Sequence, residues 1–288
     1  MSQAPQRWPE GARGAVSLTF DNLGEAAEQE LGMPTPTRGH YSVTTALPIV
    51  LADLAEAGVG ATFFVEGVNA QTYPQALGSI VEAGHECAYH AWRHEDWGRL
   101  SEAAEQENLT LGLEAMRASG LQPVGFRPPG GLLGERTLEL LQAQGLDYCS
   151  PAGADAGMDR VVLLPFEWRN VDAYHLLPQF AALRSYIDGS SEPGGPEQVA
   201  ERLTAAVDDA VAGAGHATLV LHTWLIEAER DAVQAVLGHI QARLKHGDLW
   251  LARCDEVAHW IAQHPGSFTE ATKLDTTSWI EPSESTSA

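Results

Sequence analysis

Four apolar runs of this chain end in side chains that can do chemistry. Asp21 and Asn22 follow AVSLTF, His90 follows ECAY, Arg127 follows VGF, and His222 closes ATLVLH. His90 and His94 stand in HAWRH with the H-x3-H spacing that lets two imidazoles reach one cation if the segment makes a helical turn. Arg127 carries a planar fork suited to fixing a carboxylate, and Asp21 is the candidate partner. Each feature has a plainer reading by itself. Asp21-Asn22 can be a turn, the histidines surface groups or stacking partners of Trp92 and Trp97, GFRPPGG a rigid loop, and His222 a core histidine bonded to backbone. Their common place at the ends of strand-like runs is what favours the chemical reading.

The elements that must position these groups alternate along the chain. Residues 15–20 and 61–65 read as buried strands, with helical apolar spacing over 45–58 between them. Pro74 opens a helix to about Gly84, ahead of the strand 86–89, and Ser101 caps a helix to 119, ahead of 124–126. Residues 137–144 read as helical, LDYC and VVLLPF as extended. After a Gly- and Pro-rich break at 188–196 come a helix to about 212, the strand 217–222, another helix, the strand 249–252 and a last helix to about 264. Such alternation implies a parallel sheet, and the number of units favours a closed barrel, in which reactive side chains collect at the carboxyl ends of the strands.

The chain is read as one domain over 13–264, with an N-terminal extension, 1–12, and a polar, flexible tail, 265–288, that has little capacity to form a core. The connection 23–43 is long for a β/α loop and is read as the rim of a site or as a contact between copies in a homo-oligomer.

Composition narrows the function classes. A chain of 288 residues, 44% of them hydrophobic, can bury a full core. No run is apolar enough to cross a bilayer, and the opening MSQAPQRWPEGARG lacks the marks of a secretory signal, so the sequence reads as cytoplasmic. Cys87, Cys149 and Cys254 lack C-x-x-C spacing, which suggests neither a disulfide framework nor a thiolate metal site. Thirty-nine acidic against 17 basic residues give a formal charge of -22, which argues against nucleic acid and anionic membrane as partners.

Taken in order, SLTFDN (17–22), ATFFVEG (61–67), GHECAYHAWRH (84–94), FRPPGG (126–131), PFEWRNVD (165–172) and LVLHTW (219–224) resemble the motifs of the polysaccharide deacetylase family, the NodB-homology or carbohydrate esterase family 4 fold. The resemblance covers about 15–262 and implies a single-domain, distorted (β/α)7 barrel. It also implies a hydrolase of non-peptide carbon–nitrogen bonds, dependent on a divalent metal, commonly zinc. By the same resemblance Asp21 is the general base, His90 and His94 are metal ligands, Arg127 orients Asp21, His222 is the general acid and Asp172 is its partner.

The chain departs from the family at Asn22, where the usual third ligand is Asp. An amide oxygen can coordinate a cation but adds no charge, so the resemblance implies weakened or absent metal binding. TFDN also occurs in the branch that deacetylates N-acetylmuramic acid, whereas HAWRHED, PFEWRNVD and HTWLIEAER resemble the cytosolic allantoinase-like and peptidoglycan deacetylase-like branch. Three functions are therefore expected in competition: deacetylation of an N-acetylated amino sugar or glycan, hydrolysis of a cyclic amide or ureide, and carbohydrate binding on a catalytically impaired copy of the fold.

Overall fold

The computed structural model describes residues 7–30, 32–35 and 38–278. Its central strand, β1 (Gly14–Asp21), is buried along its whole length, as expected for a parallel strand covered on both faces. Along one edge it pairs in parallel with β9 (His216–His222), from Ala15 opposite His216 to Asp21 opposite His222. Its other edge is shared, with β10 (Leu249–Leu251) beside Gly14 to Val16 and β2 (Thr62–Val65) beside Thr19 to Asp21.

From β2 the sheet continues in parallel through β3 (Glu86–Tyr89), β4 (Gly125–Phe126), β5 (Tyr148–Cys149) and β8 (Val162–Leu163). It then ends on the antiparallel β7 (Gly157–Met158). The curl closes where Val171 bridges Val220 of β9 and Thr218 Oγ1 donates to the Pro165 carbonyl at 2.9 Å. The result is the expected distorted (β/α)7 barrel, thin between β8 and β9 and with β10 wedged beside β1.

The helices follow from ordinary local chemistry. α1 (Ala26–Glu30) and α2 (Leu47–Ala57) lie in the first crossover, and α2 stops at Gly58, whose φ of +68° suits a left-handed cap. α3 (Asn69–Thr72) and α4 (Pro74–Glu82) precede β3, while α5 (Glu102–Ala118) starts where Ser101 Oγ accepts from Ala104 N. α6 (Thr137–Ala143), α9 (Pro196–Gly213), α10 (Ile226–His246) and α11 (Cys254–Gln263) complete the outer layer. α10 turns Ile226, Val233, Val236 and Ile240 inward and packs on α9 and α2. Among the described residues no helix is long and apolar enough to cross a membrane.

Two expectations need correction. The stretch between Phe166 and Asp188, for which no helix is expected, holds α7 (Asp172–Leu176) and α8 (Ala181–Asp188) with single 3-10 turns at Trp168–Asn170 and Pro178–Phe180. Pieces this short, interrupted by Pro178, never repeat an apolar period for long enough to be recognised.

The tail expected from 265 is not free throughout. Phe268 is buried edge-on against Trp8, with ring centroids 5.1 Å apart, and β11 (Lys273–Leu274) pairs antiparallel with β6 (Gly153–Ala154). Trp8, from the expected extension, is likewise buried and donates from Nε1 to the Ala214 carbonyl at 3.0 Å. One aromatic ring amid polar neighbours is enough to anchor a segment that average composition marks as coreless. The parts of extension and tail at 1–6 and 279–288 lie outside the described residues.

Candidate active site

The carboxyl ends of β1, β3, β4 and β9 meet around one cavity of about 790 Å3. Asp21, Asn22, His90, His94, Arg127 and His222 all line it. Asp172 stands behind His222, so every site residue expected from sequence is brought to this end of the barrel.

Asp21 ends β1, and Arg127 follows β4 with its side chain fully buried. Arg127 Nη1 donates to Asp21 Oδ1 at 2.5 Å and to Thr19 Oγ1 at 2.9 Å. Its Nη2 donates to Ser150 Oγ at 3.0 Å, and its guanidinium lies 4.0 Å from the Phe64 ring centroid and 5.2 Å from that of Phe166. A cation sandwiched and bonded in this way has one orientation, and it fixes one oxygen of Asp21. Burial raises the Asp21 carboxyl above its ordinary range, and the Arg127 charge only partly opposes this.

His90 donates from Nδ1 to the Arg127 carbonyl at 2.8 Å, because a carbonyl can only accept. The neutral ring therefore keeps its lone pair on Nε2, 4.0 Å from Asp21 Oδ2. The His94 ring lies 5.0 Å from that of His90, centroid to centroid, but no helical turn brings it there. The backbone after β3 instead passes through left-handed conformations at Ala91 (φ +62°) and His94 (φ +73°), and Asn22 is left-handed as well (φ +60°). Non-glycine residues held in this region carry strain that the surroundings must offset. Here Gly67 N bonds the Ala91 carbonyl, Val68 N bonds the Trp92 carbonyl, and Trp92 N bonds Asn108 Oδ1, at 2.9, 3.0 and 2.9 Å.

The chain after Asn22 is clamped from below. Glu66, fully buried and missed in the sequence reading, accepts at Oε2 from Leu23 N (3.1 Å) and Asn69 Nδ2 (3.0 Å), while Asn69 Nδ2 also meets the Leu23 carbonyl at 2.6 Å. Burial pushes the Glu66 carboxyl up to about 8.

Whether these residues fit a cation can be judged from the donors. Burial holds both His90 and His94 down to about 3, so both are neutral lone-pair donors at neutral pH. Asn22 Oδ1 is buried and accepts from nothing among the described residues, although an unpaired acceptor costs about 1–3 kcal/mol. Two neutral imidazoles and an orphan amide oxygen beside Asp21 suit a small divalent cation of the kind that imidazole binds. Among the described residues no three acids, thiols or imidazoles converge on a metal position. The third donor here would be an amide.

His222 is held as firmly as Asp21. Its Nδ1 lies 2.5 Å from Asp172 Oδ1, its backbone N donates to Asp172 Oδ2 at 2.5 Å, and Ala173 N also donates to this carboxylate. Burial alone would lower the His222 pKa, but the charge of Asp172 and its hydrogen bond outweigh it and raise the imidazole above its ordinary value. Asp172 correspondingly lies below its ordinary value despite its burial.

Behind this pair stands a second residue that the sequence reading missed. Glu229, buried in the first turn of α10, meets the Asp172 carboxyl and finds no donor of its own among the described residues. Two carboxyls in contact keep a proton between them, and Glu229 holds it, its pKa pushed up to about 11 by burial and by the charge of Asp172.

The Polysaccharide deacetylase family model matches residues 9–149, which span the first two site motifs and the arginine loop. The matched part, just under half of the chain, belongs to the polysaccharide deacetylase family. A peptidoglycan deacetylase-like protein of Gibberella zeae is 35% identical over 54% of this chain and 49% of its own length. The chain thus spans about half of that relative, and smaller shares of a chitin deacetylase from Saccharomyces cerevisiae and a peptidoglycan deacetylase from Helicobacter pylori. A solved structure of a candidate polysaccharide deacetylase from Mycobacterium smegmatis is 27% identical, with a TM-score of 0.77 over 96% of this chain and 98% of that one. The Puue allantoinase structure shares the fold, with a TM-score of 0.69 over 92% of this chain and 96% of that one at 21% identity.

Proposed function

We propose that this polysaccharide deacetylase-family protein is a hydrolase that removes the acetyl group from an N-acetylated amino sugar or glycan. The observation that carries the reading is the pairing, across β1 and β9, of a carboxylate held by Arg127 with an imidazole held by Asp172, beside His90 and His94. Asn22, His90 and His94 would hold a divalent cation, zinc by the character of the donors, whose chemistry is to polarise the acyl carbonyl and the attacking water.

Asp21 then serves as general base. Arg127 occupies Oδ1 and leaves Oδ2 to take a proton as water oxygen bonds to the carbonyl carbon. An amine leaves poorly as an anion, so the carbon–nitrogen bond breaks as His222 Nε2 gives its proton to the departing nitrogen. The raised basicity of His222 keeps that proton available at neutral pH. Asp172 holds the imidazole in the required tautomer and stabilises its charged form.

A cytoplasmic location belongs to the same reading and is supported by three buried, unpaired thiols, the usual state of cysteine in a reducing compartment. Acetate assays with added divalent metals on acetylated monosaccharides, chito-oligosaccharides and muropeptides test the function. Acetate from at least one is expected. Ring opening of a cyclic amide or ureide without acetate would replace this reading with the allantoinase-like one, and binding without turnover would replace it with the binding-protein one.

A further inference from the structure

We infer that the cavity selects N-acyl compounds that carry a hydrocarbon group, in preference to polymers of sugar units; the inference rests on the amide-hydrolase reading above and deepens it. The polar side chains of the cavity are concentrated where the chemistry is, in Asp21, Asn22, His90, His94, Arg127 and His222. The surrounding wall is apolar. Phe166 and Trp168 follow β8, Leu177 and Phe180 come from the connection between α7 and α8, Trp224 follows β9, and Met33 reaches in from the long first crossover.

Outside the reactive floor the charged and amide side chains in the wall are Glu28, whose carboxylate is bonded to His40 at 3.2 Å, and Gln179. Apart from these two and the indole N–H groups of Trp168 and Trp224, a sugar chain threading this space would set its hydroxyl groups against rings and methyls, and most of them would forfeit their bonds to water. A hydrocarbon group would instead leave water for a surface that matches it. The cavity volume of about 790 Å3 falls in the range of about 300–1,000 Å3 typical of sites for discrete small molecules.

The hydrocarbon can belong to either half of the substrate. On the amine side it would be an alkyl or aryl substituent of the amino sugar, and on the acyl side a chain longer than acetyl. Release of the free amine distinguishes the sources when N-acetylglucosamine, its hexyl glycoside, N-hexanoyl-glucosamine and chitotetraose are compared under one metal condition. At least one hexyl compound is expected to exceed both N-acetylglucosamine and chitotetraose in kcat/KM by about tenfold, given the apolar area a hexyl chain can bury. Phe180→Ser and Leu177→Ser should each erase most of that advantage by acting on the hexyl compound far more than on N-acetylglucosamine.

Rates that rise with the number of sugar units, with no gain for either hexyl compound, would overturn the inference. Calorimetric binding separates it from the hydrolase reading. Tighter binding of a hexyl compound than of chitotetraose without any turnover would uphold the apolar selection and count against the hydrolase, whereas equal or weaker binding would overturn the selection itself.

Discussion

Asp21 and His222 are register partners on adjacent parallel strands, so their side chains leave the barrel rim side by side. Each is backed by a buried group of opposite charge, Arg127 behind Asp21 and Asp172 behind His222. The strand pairing sets the spacing between carboxylate and imidazole, while the backing groups shift their proton affinities.

The pH dependence follows with a definite sign. His222 lies above the ordinary histidine value in the fold, so kcat should fall only as pH rises through that raised value, and the fall should come later than for an ordinary histidine. Asp172→Asn removes the charge that raises it, and should move the alkaline limb of kcat to lower pH. The stabilisation from the His222–Asp172 pair is likewise full below the unfolded histidine pKa and is lost as pH rises through the folded one. A wild-type alkaline limb below the ordinary histidine value would contradict this assignment.

Arg127→Met should cost both stability and activity. It leaves the buried Asp21 carboxylate without its cation, and breaking a buried pair from one side typically costs about 3–5 kcal/mol. Urea unfolding of the variant measures this loss. Arg127→Lys restores charge without the fork that spans Asp21, Thr19 and Ser150, and should recover only part of it.

Glu229 provides a test of where the proton between the buried carboxyls resides. If Glu229 carries it, Glu229→Gln keeps a neutral donor toward Asp172 and should leave the alkaline limb of kcat in place. An ionised Glu229 would help hold the proton on His222, and the same substitution would then move that limb to lower pH. The pH profile of the variant separates these outcomes.

The legibility of the site in the sequence differed by residue, for physical reasons. AVSLTF and ATLVLH are buried on both faces and could be recognised as strands from composition, and the polar residues at their ends came with them. HAWRH had the right residues but the wrong local geometry, because left-handed backbone at Ala91 and His94 leaves no mark in residues that usually avoid it. Glu229 did leave a signal. It occupies the inward stripe of α10 with Ile226, Val233, Val236 and Ile240, where an acid has no place unless it is bonded. The apolar wall from Phe166 to Phe180 was hidden by its division into short pieces, each too brief for a period to show.

The amide at position 22 should govern metal affinity. Asn22→Asp adds a charge where an unpaired oxygen now points, and should tighten zinc binding by roughly tenfold or more, a gain of about 1.4 kcal/mol or more. Calorimetric titration of both proteins checks this, and unchanged affinity would remove Asn22 from the donor set.

The central claim, amide hydrolysis with Asp21 as base and His222 as acid, is tested most directly by acetate release from zinc-supplemented wild type, Asp21→Asn and His222→Gln. The account predicts acetate from wild type and a fall in kcat of about 10²–10⁴-fold in each variant, the usual contribution of a positioned acid or base. Acetate release from either variant at the wild-type rate, or none from wild type with any acetylated amino sugar and any divalent metal, would contradict it.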